Sequence, residues 1–476
     1  PNDCVSRQLP LIAPYRFVLL GTFSLLVYAG IGWLSQAFVH GEGHLQRPIA
    51  SFIGLYAGVF VLYVLAIRSL SWLPHQRLDV FVILGVAVLL RVTLLFSNPV
   101  QEDDFYRYLW DGKMVASGLN PYSVAPRMVL EHGGASEDLQ RRASIPARDA
   151  DFALILSRVN HPSVPTVYPP LAQAVFGLTA LVAPGSLLAL RLSFLAFDLG
   201  ICGLLLAMLK HLNASPLWVL VYAWSPLVIK ESINSAHYDV VPTFFLLLAI
   251  LLSLKERSEW AAASLALAVL GKVYPLLLVP PLMRRTWEIQ GPARALLGAG
   301  VVAVIIVLGY VPFLDAGPWL WKGTLTFAQH WQTNSLVFPL LQSLVETRWV
   351  ANAVVAVLLG GMVLVLIRRF ALREARSFLW VNFLILGVLF LLSPVGNPWY
   401  FLWIVPFLCI FPLRSWLLLS GLLGLYYLSF SFIYRDTPET FRWVVWLEYL
   451  PFYGMLLWEW YSGRQKRRRD ESSASA

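Results

Sequence analysis

Apolar runs long enough to cross a bilayer recur along almost the whole chain, separated by short polar segments. A membrane-spanning helix needs about 20 mostly apolar residues, because it rises about 1.5 Å per residue through a hydrocarbon layer about 30 Å thick. The pattern therefore predicts an all-α polytopic membrane protein. About twelve spans are expected, at 15–39, 50–67, 77–97, 185–209, 214–230, 239–254, 293–313, 349–369, 377–393, 398–412, 415–433 and 441–460.

Two further apolar stretches, 171–183 and 259–283, are interrupted by glycine and proline. Lysine and arginine in short loops mark the cytoplasmic side of a membrane protein. The arginine clusters at 68–77, 284–285 and 368–376 are therefore expected in the cytoplasm. Two topologies satisfy this, and both place the long loop 98–170 outside. If both interrupted stretches cross, there are fourteen spans and 231–238 lies inside. If neither crosses, 231–238 lies outside, and this arrangement is preferred because it keeps the basic residues at 210 and 255–257 inside.

Composition supports the membrane class, because 58% of the 476 residues are hydrophobic and only 13% are charged. The formal net charge of +9 lies mostly in short loops and in the basic tail, where it sets orientation, so it does not indicate a nucleic-acid partner. The spacing of the three cysteines suggests neither a metal site nor a disulfide framework, and two of them fall inside apolar runs.

The segment 102–122, EDDFYRYLWDGKMVASGLNPY, follows an apolar run directly. It places Asp103 and Asp104 at a membrane–water boundary. Arg107, Tyr108 and Asp111 follow Asp104 at spacings that share one helical face, and Arg107 is expected to keep Asp104 ionised. Paired carboxylates in this setting suit proton abstraction, and the alternative is a solvated cap at the end of a span.

Polar residues also gather at the end of two spans in 231–239, and ionisable groups at membrane depth are expensive and commonly functional. Glu231, Asn234, His237 and Asp239 are the candidates here. His237 and Asp239 either hold a metal ion or donate and accept hydrogen bonds with ligand hydroxyls. Lys272 has apolar neighbours, so it either meets a lipid phosphate or extends to the interface.

Prolines beside aromatic residues interrupt the chain at several places predicted to lie on the outer face. They either begin helices or form a slot for a sugar or an isoprenoid chain. The candidate binding residues from these breaks and from the second outer loop are Tyr122, Tyr168, His330, Trp331, Asn397, Trp399 and Tyr400.

Taken in order, these blocks resemble the GT-C glycosyltransferases, polytopic enzymes that use polyprenyl-phosphate sugars, mostly mannose. The blocks extend from residue 97 to residue 400, and the likeness is greatest to bacterial polyprenol-phosphate-mannose mannosyltransferases and to the catalytic subunit of the first GPI mannosyltransferase. The resemblance implies an acidic catalytic base in the first large extracytoplasmic loop, which here is Asp104 or Asp103. It also implies a cation for the leaving phosphate, and Lys272, Arg107 and Arg435 are the candidates.

The expected reaction is inverting transfer of a hexose, with mannose the expected sugar, from a polyprenyl-phosphate donor to a hydroxyl of a lipid- or glycan-linked acceptor. The expected location is the outer face of a bacterial inner membrane, in contact with membrane lipids. No cofactor is firmly implied, and a divalent metal is compatible but not indicated. The alternatives are a flippase or transporter of lipid-linked sugars and a structural membrane subunit.

This interpretation divides the chain into six parts. They are N-terminal transmembrane helices (1–97), an extracytoplasmic catalytic loop with interfacial helices (98–170), a core transmembrane module (171–313), a second extracytoplasmic loop (314–348), C-terminal transmembrane helices (349–462) and a basic cytoplasmic tail (463–476).

Overall fold

The computed structural model describes residues 15–41, 43–70, 77–132, 134 and 136–474, and within these residues the chain is almost entirely helical. The first half contains α1 Arg16–Leu34, α2 Ile49–Ser69, α3 Arg77–Leu95, α4 Asp104–Ala116, α5 Pro126–His132, α6 Glu137–Arg148, α7 Ala150–Ser157, α8 Pro170–Val182, α9 Leu187–His211, α10 Leu220–Ala223 and α11 Pro226–Ile229. The second half contains α12 Val240–Leu254, α13 Ser258–Gly271, α14 Val279–Gln290, α15 Pro292–Tyr310, α16 Trp319–His330, α17 Val337–Val345, α18 Arg348–Arg369, α19 Ala375–Leu392, α20 Val405–Leu408, α21 Arg414–Leu422, α22 Leu428–Ile433 and α23 Phe441–Ala474.

Eight helical segments of the described residues are long and apolar enough to cross a membrane. Each coincides with a predicted span, which confirms the all-α polytopic class, while the total of about twelve stays a prediction. The eight are Arg16–Ala37, His44–Ser69, Leu78–Leu95, Leu187–His211, Pro292–Ala316, Arg348–Arg369, Ala375–Leu392 and Arg414–Ile433.

Two predicted spans are not continuous helices. Residues 214–230 form a 3₁₀ turn followed by α10 and α11, and α11 runs into a π-helical turn at Lys230–Asn234. Residues 398–412 form a 3₁₀ turn at Pro398–Trp403 and the single turn α20. Proline explains both breaks, because it lacks the N–H that continues a helix and is tolerated only in the first turn. Pro226 begins α11, Pro398 begins the second 3₁₀ segment, and Pro406 is the second residue of α20.

The two interrupted apolar stretches are short helices. Residues 171–183 lie in α8, which has 13 residues. Residues 259–283 divide between α13 and α14, and the backbone at Lys272 is extended where α13 ends. This extended residue turns the chain away from the axis of α13.

The acidic helix α4 packs closely against α8. Gly112 makes this approach feasible, because a Cβ atom there would lie 2.5 Å from the carbonyl oxygen of Phe176. Within the loop 98–170, which was predicted to carry interfacial helices, residues 137–157 form α6 and α7, and the side chains of Ser136 and Asp149 cap these helices. The helices between α3 and α8 therefore hold the acid pair against one end of the bundle.

An ion pair between Arg91 of α3 and Asp198 of α9 lies fully buried within the bundle. Tyr222 donates to Asp198 at 2.7 Å, and Arg91 also donates to the carbonyl of Ala223 at 2.7 Å. These two charged groups are satisfied by each other and by neighbouring helices, so they tie α3, α9 and α10 together.

Candidate active site

A cavity of about 520 Å³ opens at the end of the bundle that carries the acid pair. Segments distant in sequence line it: residues 101–108, 160–169, 238–239, 272–274, 324–333, 397–403 and 426–430. Helix α16 covers one side, and its Gly323 sits so close to the chain that a Cβ atom would lie 2.3 Å from the carbonyl oxygen of Thr166. Segments from 98–170, 314–348 and 231–239 therefore share one end of the bundle.

The two adjacent aspartates meet a single amide group. Asn160 donates from Nδ2 to Oδ1 of Asp103 at 3.0 Å and to Oδ1 of Asp104 at 2.6 Å. The Asp104 side chain retains 23% of its exposure, and both carboxylates line the cavity. Burial, with the charge of Asp104 adding to it, raises the pKa of Asp103 to about 6. Burial also raises the pKa of Asp104, so both groups are stronger bases than an exposed aspartate.

Arg107 does not pair with Asp104, contrary to the expectation from the helical spacing. Its Nη2 atom donates to the carbonyl oxygens of Asn160 and His161, at 3.1 Å each. The arginine thus fixes the backbone of the loop that carries Asn160, and its effect on the acid pair passes through this loop.

Lys272 supplies a cation on another wall of the cavity, and it has a protein counter-ion that the sequence did not indicate. Its Nζ atom donates to Oδ1 of Asp239 at 2.6 Å and lies 3.8 Å from the ring centre of Tyr400. Trp403 donates to the same oxygen of Asp239 at 2.8 Å. The lysine remains 17% exposed and lines the cavity, so one ammonium N–H is committed to Asp239 while the group still faces a ligand.

Aromatic rings form much of the remaining cavity wall. Tyr108, Tyr168 and Tyr238 contact one another edge to face, with ring centres 5.1–5.7 Å apart. Trp399 and Trp331 line other parts of the wall, and the latter lies 4.6 Å from the ring of His161. Such flat apolar faces suit stacking against a sugar ring.

The predicted residues separate into groups by position. The cavity lining includes Asp103, Asp104, Arg107, Tyr108, Tyr168, Asp239, Lys272, Trp331, Asn397, Trp399 and Tyr400. Asn397 brings a buried Oδ1 atom that has no hydrogen-bond partner in the described part of the chain, so it is available to a ligand hydroxyl.

Other predicted residues lie behind the lining. Asp111 accepts from Gln173 at 3.2 Å, and Tyr122 donates to the carbonyl oxygen of Tyr168 at 2.7 Å. Asn234 bonds to the backbone of Val100 and Asn98, which anchors the segment before the acid pair. These three side chains support the wall.

Glu231 and His237 are buried behind the acid pair. His330 is exposed, and its Nδ1 atom lies 3.0 Å from the carbonyl oxygen of Thr326. Arg435 lines a separate pocket of about 120 Å³, beside Arg47. The structure thus does not bring His330 or Arg435 to the cavity lining.

Several lining residues were not among the candidates named from the sequence. Asn160, which joins the two aspartates, lies more than 50 positions from them, and only the adjacent His161-Pro162 break marked its neighbourhood. Tyr238, Trp403 and Tyr426 also line the cavity. Aromatic residues are common throughout this chain, so the residue type alone did not distinguish these three from the other aromatic residues.

The suggested pairing of His237 with Asp239 as metal ligands is not what the structure shows. Asp239 Oδ1 accepts from Lys272 and Trp403, whereas the His237 ring stacks on Trp399. Across 15–41, 43–70, 77–132, 134 and 136–474, no group of three or more histidine, cysteine, aspartate or glutamate side chains is arranged to hold a metal ion.

A helical membrane bundle, with paired carboxylates and a lysine facing one aromatic-lined cavity, is the arrangement expected of a GT-C glycosyltransferase. A family model described as alpha-(1->6)-mannopyranosyltransferase, N-terminal domain (MptA_B family), matches residues 18–287. Because the match covers more than half of the chain, the protein belongs to this mannosyltransferase family. A comparison with curated proteins gives no match.

Proposed function

We propose that the protein transfers mannose from a polyprenyl-phosphate donor to a hydroxyl of a lipid- or glycan-linked acceptor, with inversion at the anomeric carbon. The observation that carries the proposal is the meeting of the Asn160-bound acid pair and Lys272 in one cavity. Transfer needs a base for the nucleophile and a cation for the leaving phosphate, and this cavity offers both.

Asp104 is the proposed base. A sugar hydroxyl is a weak nucleophile, and a positioned base typically contributes about 10²–10⁴-fold to the rate. Asn160 engages Oδ1 of Asp104, and the side chain is partly exposed to the cavity, so Oδ2 is the atom available to the acceptor. Attack on a β-linked donor by inversion gives an α-linked product. The family description supports an α-(1→6) linkage, in which the nucleophile is a primary hydroxyl.

Lys272 is the proposed contact of the donor phosphate. The ammonium lies at the cavity wall between Asp239 and the ring of Tyr400, where its remaining N–H groups can meet an anion. The phosphate gains negative charge as the glycosidic bond breaks, so an electrostatic contact at this point stabilises the transition state more than the ground state. The polyprenyl chain lies in the bilayer against the apolar spans.

The cavity is proposed to face the extracytoplasmic side of a bacterial inner membrane. Helix α18 begins beside the cavity, where Arg348 donates to the carbonyl of Trp331. It ends with Arg368 and Arg369, about 30 Å along the helix axis. The positive-inside rule assigns this arginine end to the cytoplasm and therefore the cavity end to the opposite side.

Incubation of the purified protein with radiolabelled polyprenyl-phosphate mannose tests the proposal. We expect labelled acceptor with a new α-linkage when the donor is β-linked, no product from the α-linked donor, and a rate about 10²–10⁴-fold lower from an Asp104→Asn variant. A flippase would instead move the labelled lipid across a vesicle membrane without forming a glycosidic bond, and this result would contradict the proposal.

A further inference from the structure

A buried histidine lies directly behind the proposed base. His237 has no exposed surface, and its ring stacks on Trp399 with ring centres 3.9 Å apart. Nδ1 lies 3.8 Å from Oδ2 of Asp104. On the other side of the ring, Nε2 lies 3.5 Å from Oε2 of Glu231 and 3.9 Å from Oε2 of Glu102. One imidazole thus joins the catalytic carboxylate to two further carboxylates.

His237 differs from an ordinary buried structural histidine because its ring nitrogens make no hydrogen bonds. Within the described residues, neither ring nitrogen of His237 has a hydrogen-bond partner, and the same holds for Oε2 of Glu231 and Oε1 of Glu102. Buried polar side-chain atoms are bonded in the large majority of cases. The three nitrogen–oxygen distances of 3.5–3.9 Å exceed hydrogen-bond length by less than 1 Å. Catalytic hydrogen bonds often shorten to normal length only when substrates bind.

The charges around the ring leave room for a shared proton. Acidic side chains outnumber basic ones around the ring. The acidic ones are Glu102, Asp103 and Asp104 at the start of α4, Glu231 in the π-helical turn and Asp239 before α12, and the basic ones are Lys230 in the same turn and Lys272 after α13. Lys230 donates to Ser235 and Tyr427, and its Nζ atom is 3.8 Å from Oε1 of Glu231. In a water-poor site, carboxylates in excess hold protons instead of remaining fully ionised.

We infer that His237 relays the proton of each transfer from Asp104 to the Glu231–Glu102 pair. When the acceptor O–H bond breaks and the glycosidic bond forms, the proton moves to Oδ2 of Asp104. It then passes to Nδ1 of His237, while the proton on Nε2 moves to Glu231 or Glu102. Asp104 returns to its carboxylate form, and the imidazole stays neutral throughout with its tautomer exchanged.

Glu102 provides the exit from this relay because it lines the cavity, whereas Glu231 is almost completely buried. A proton on Glu102 can leave with water or with the departing phosphate. After the product has left, Nδ1 of His237 returns its proton through Asp104 to water in the cavity, and Nε2 takes a proton that Glu102 receives from water, which restores the starting tautomer. The relay therefore resets the base while product still occupies the cavity around Asp104. His237 contacts neither substrate carbon nor phosphate, so it is a positioning residue that acts through Asp104. The inference rests on the proposed function, in which Asp104 is the base.

Two substitutions test the relay, and turnover number is the readout. His237→Phe keeps a ring for stacking on Trp399 but removes both nitrogens, and His237→Gln keeps polar atoms that cannot carry the proton. At a pH above the rise in kcat/KM, Asp104 begins each experiment ionised, so both variants should complete the first turnover at the wild-type rate when enzyme is in excess over donor. Their steady-state rates should fall by about 10–100-fold, in the range of a proton-transfer contribution. A third variant, His237→Ala, leaves the space of the ring empty, and added imidazole should restore its steady-state rate in proportion to the imidazole concentration.

Three outcomes would overturn the relay. They are a wild-type steady-state rate in both variants, an equal loss in the first turnover, and a steady-state loss in His237→Ala that does not respond to imidazole. The last two would indicate a structural role for the ring. Asp104→Asn separates this failure from failure of the proposed function, because it should lose the first turnover and resist rescue. If Asp104→Asn retains its first turnover, the proposed base is wrong and the relay is overturned with it.

Discussion

Replacing Asp104 by asparagine removes the proposed base with little change in shape. The carbonyl oxygen of the new amide can still accept the 2.6 Å hydrogen bond from Asn160. Because burial raises the pKa of Asp104, folding disfavours its ionised form near neutral pH, and a neutral amide removes that cost. We therefore expect the variant to fold at least as well as the wild type, so that a lost activity reports chemistry.

The expected loss follows from the role of the group. A general base contributes about 10²–10⁴-fold, which equals about 2.7–5.4 kcal/mol of transition-state stabilisation at about 1.36 kcal/mol for each factor of ten. The loss should appear in kcat and in kcat/KM for the acceptor. The Kd for a non-transferable phosphonate analogue of the donor should stay within about twofold, because Lys272, and not Asp104, is the proposed phosphate contact.

Asp103→Asn is the matched control, since Asp103 accepts from the same Asn160 amide at 3.0 Å. We expect it to lose about 10–100-fold, or about 1.4–2.7 kcal/mol, through its effect on the geometry and basicity of its neighbour. Full activity in Asp104→Asn together with loss in Asp103→Asn would reverse the two roles. Activity that survives in both variants would refute this loop as the source of the base.

Three further predictions concern pH, the phosphate contact and orientation. A carboxylate base works when ionised, so kcat/KM should rise with pH, and the rise should lie above the usual aspartate range because burial raises the pKa of Asp104. Burial and the charge of Asp104 also raise the pKa of Asp103 to about 6, so the two groups titrate as a coupled pair; Asp103→Asn should move the rise to lower pH, and an unchanged profile would contradict the coupling. Lys272→Met alone leaves the buried Asp239 without its counter-ion, which costs about 3–5 kcal/mol in stability, so the double variant Lys272→Met/Asp239→Asn is the proper test. The double variant should fold and raise the donor KM at least about tenfold. An unchanged KM would show that the lysine does not contact the phosphate. Cysteine at the exposed Ser157 should react with an impermeant reagent from outside the cell and cysteine at the exposed Lys210 should not, and the reverse result would invert the proposed orientation.

The order of apolar and polar residues was sufficient to predict the helices whose formation depends only on neighbouring residues. Eight apolar runs predicted helices that the structure contains, because a run of this length and hydrophobicity satisfies its backbone hydrogen bonds within itself. The helix predicted from the spacing of Arg107, Tyr108 and Asp111 after Asp104 is present. It runs from Asp104 to Ala116 and ends just before Gly118, which adopts a left-handed conformation with φ of +68°. The runs 214–230 and 398–412 were predicted as spans because hydropathy averages over their prolines, which divide them into single turns.

What the sequence by itself determined is the membrane class, most long helices and the acidic segment at a helix start, since each follows from neighbours along the chain. The partners within the site followed only from the tertiary structure. Helical spacing put Arg107 one turn from Asp104, yet the loop carbonyls at 160–161 take its hydrogen bonds. Lys272 meets Asp239 from 33 positions away, and Asp104 meets Asn160 from 56 positions away. Such contacts depend on how the helices pack and where the breaks between them turn the chain, and no local pattern encodes that geometry.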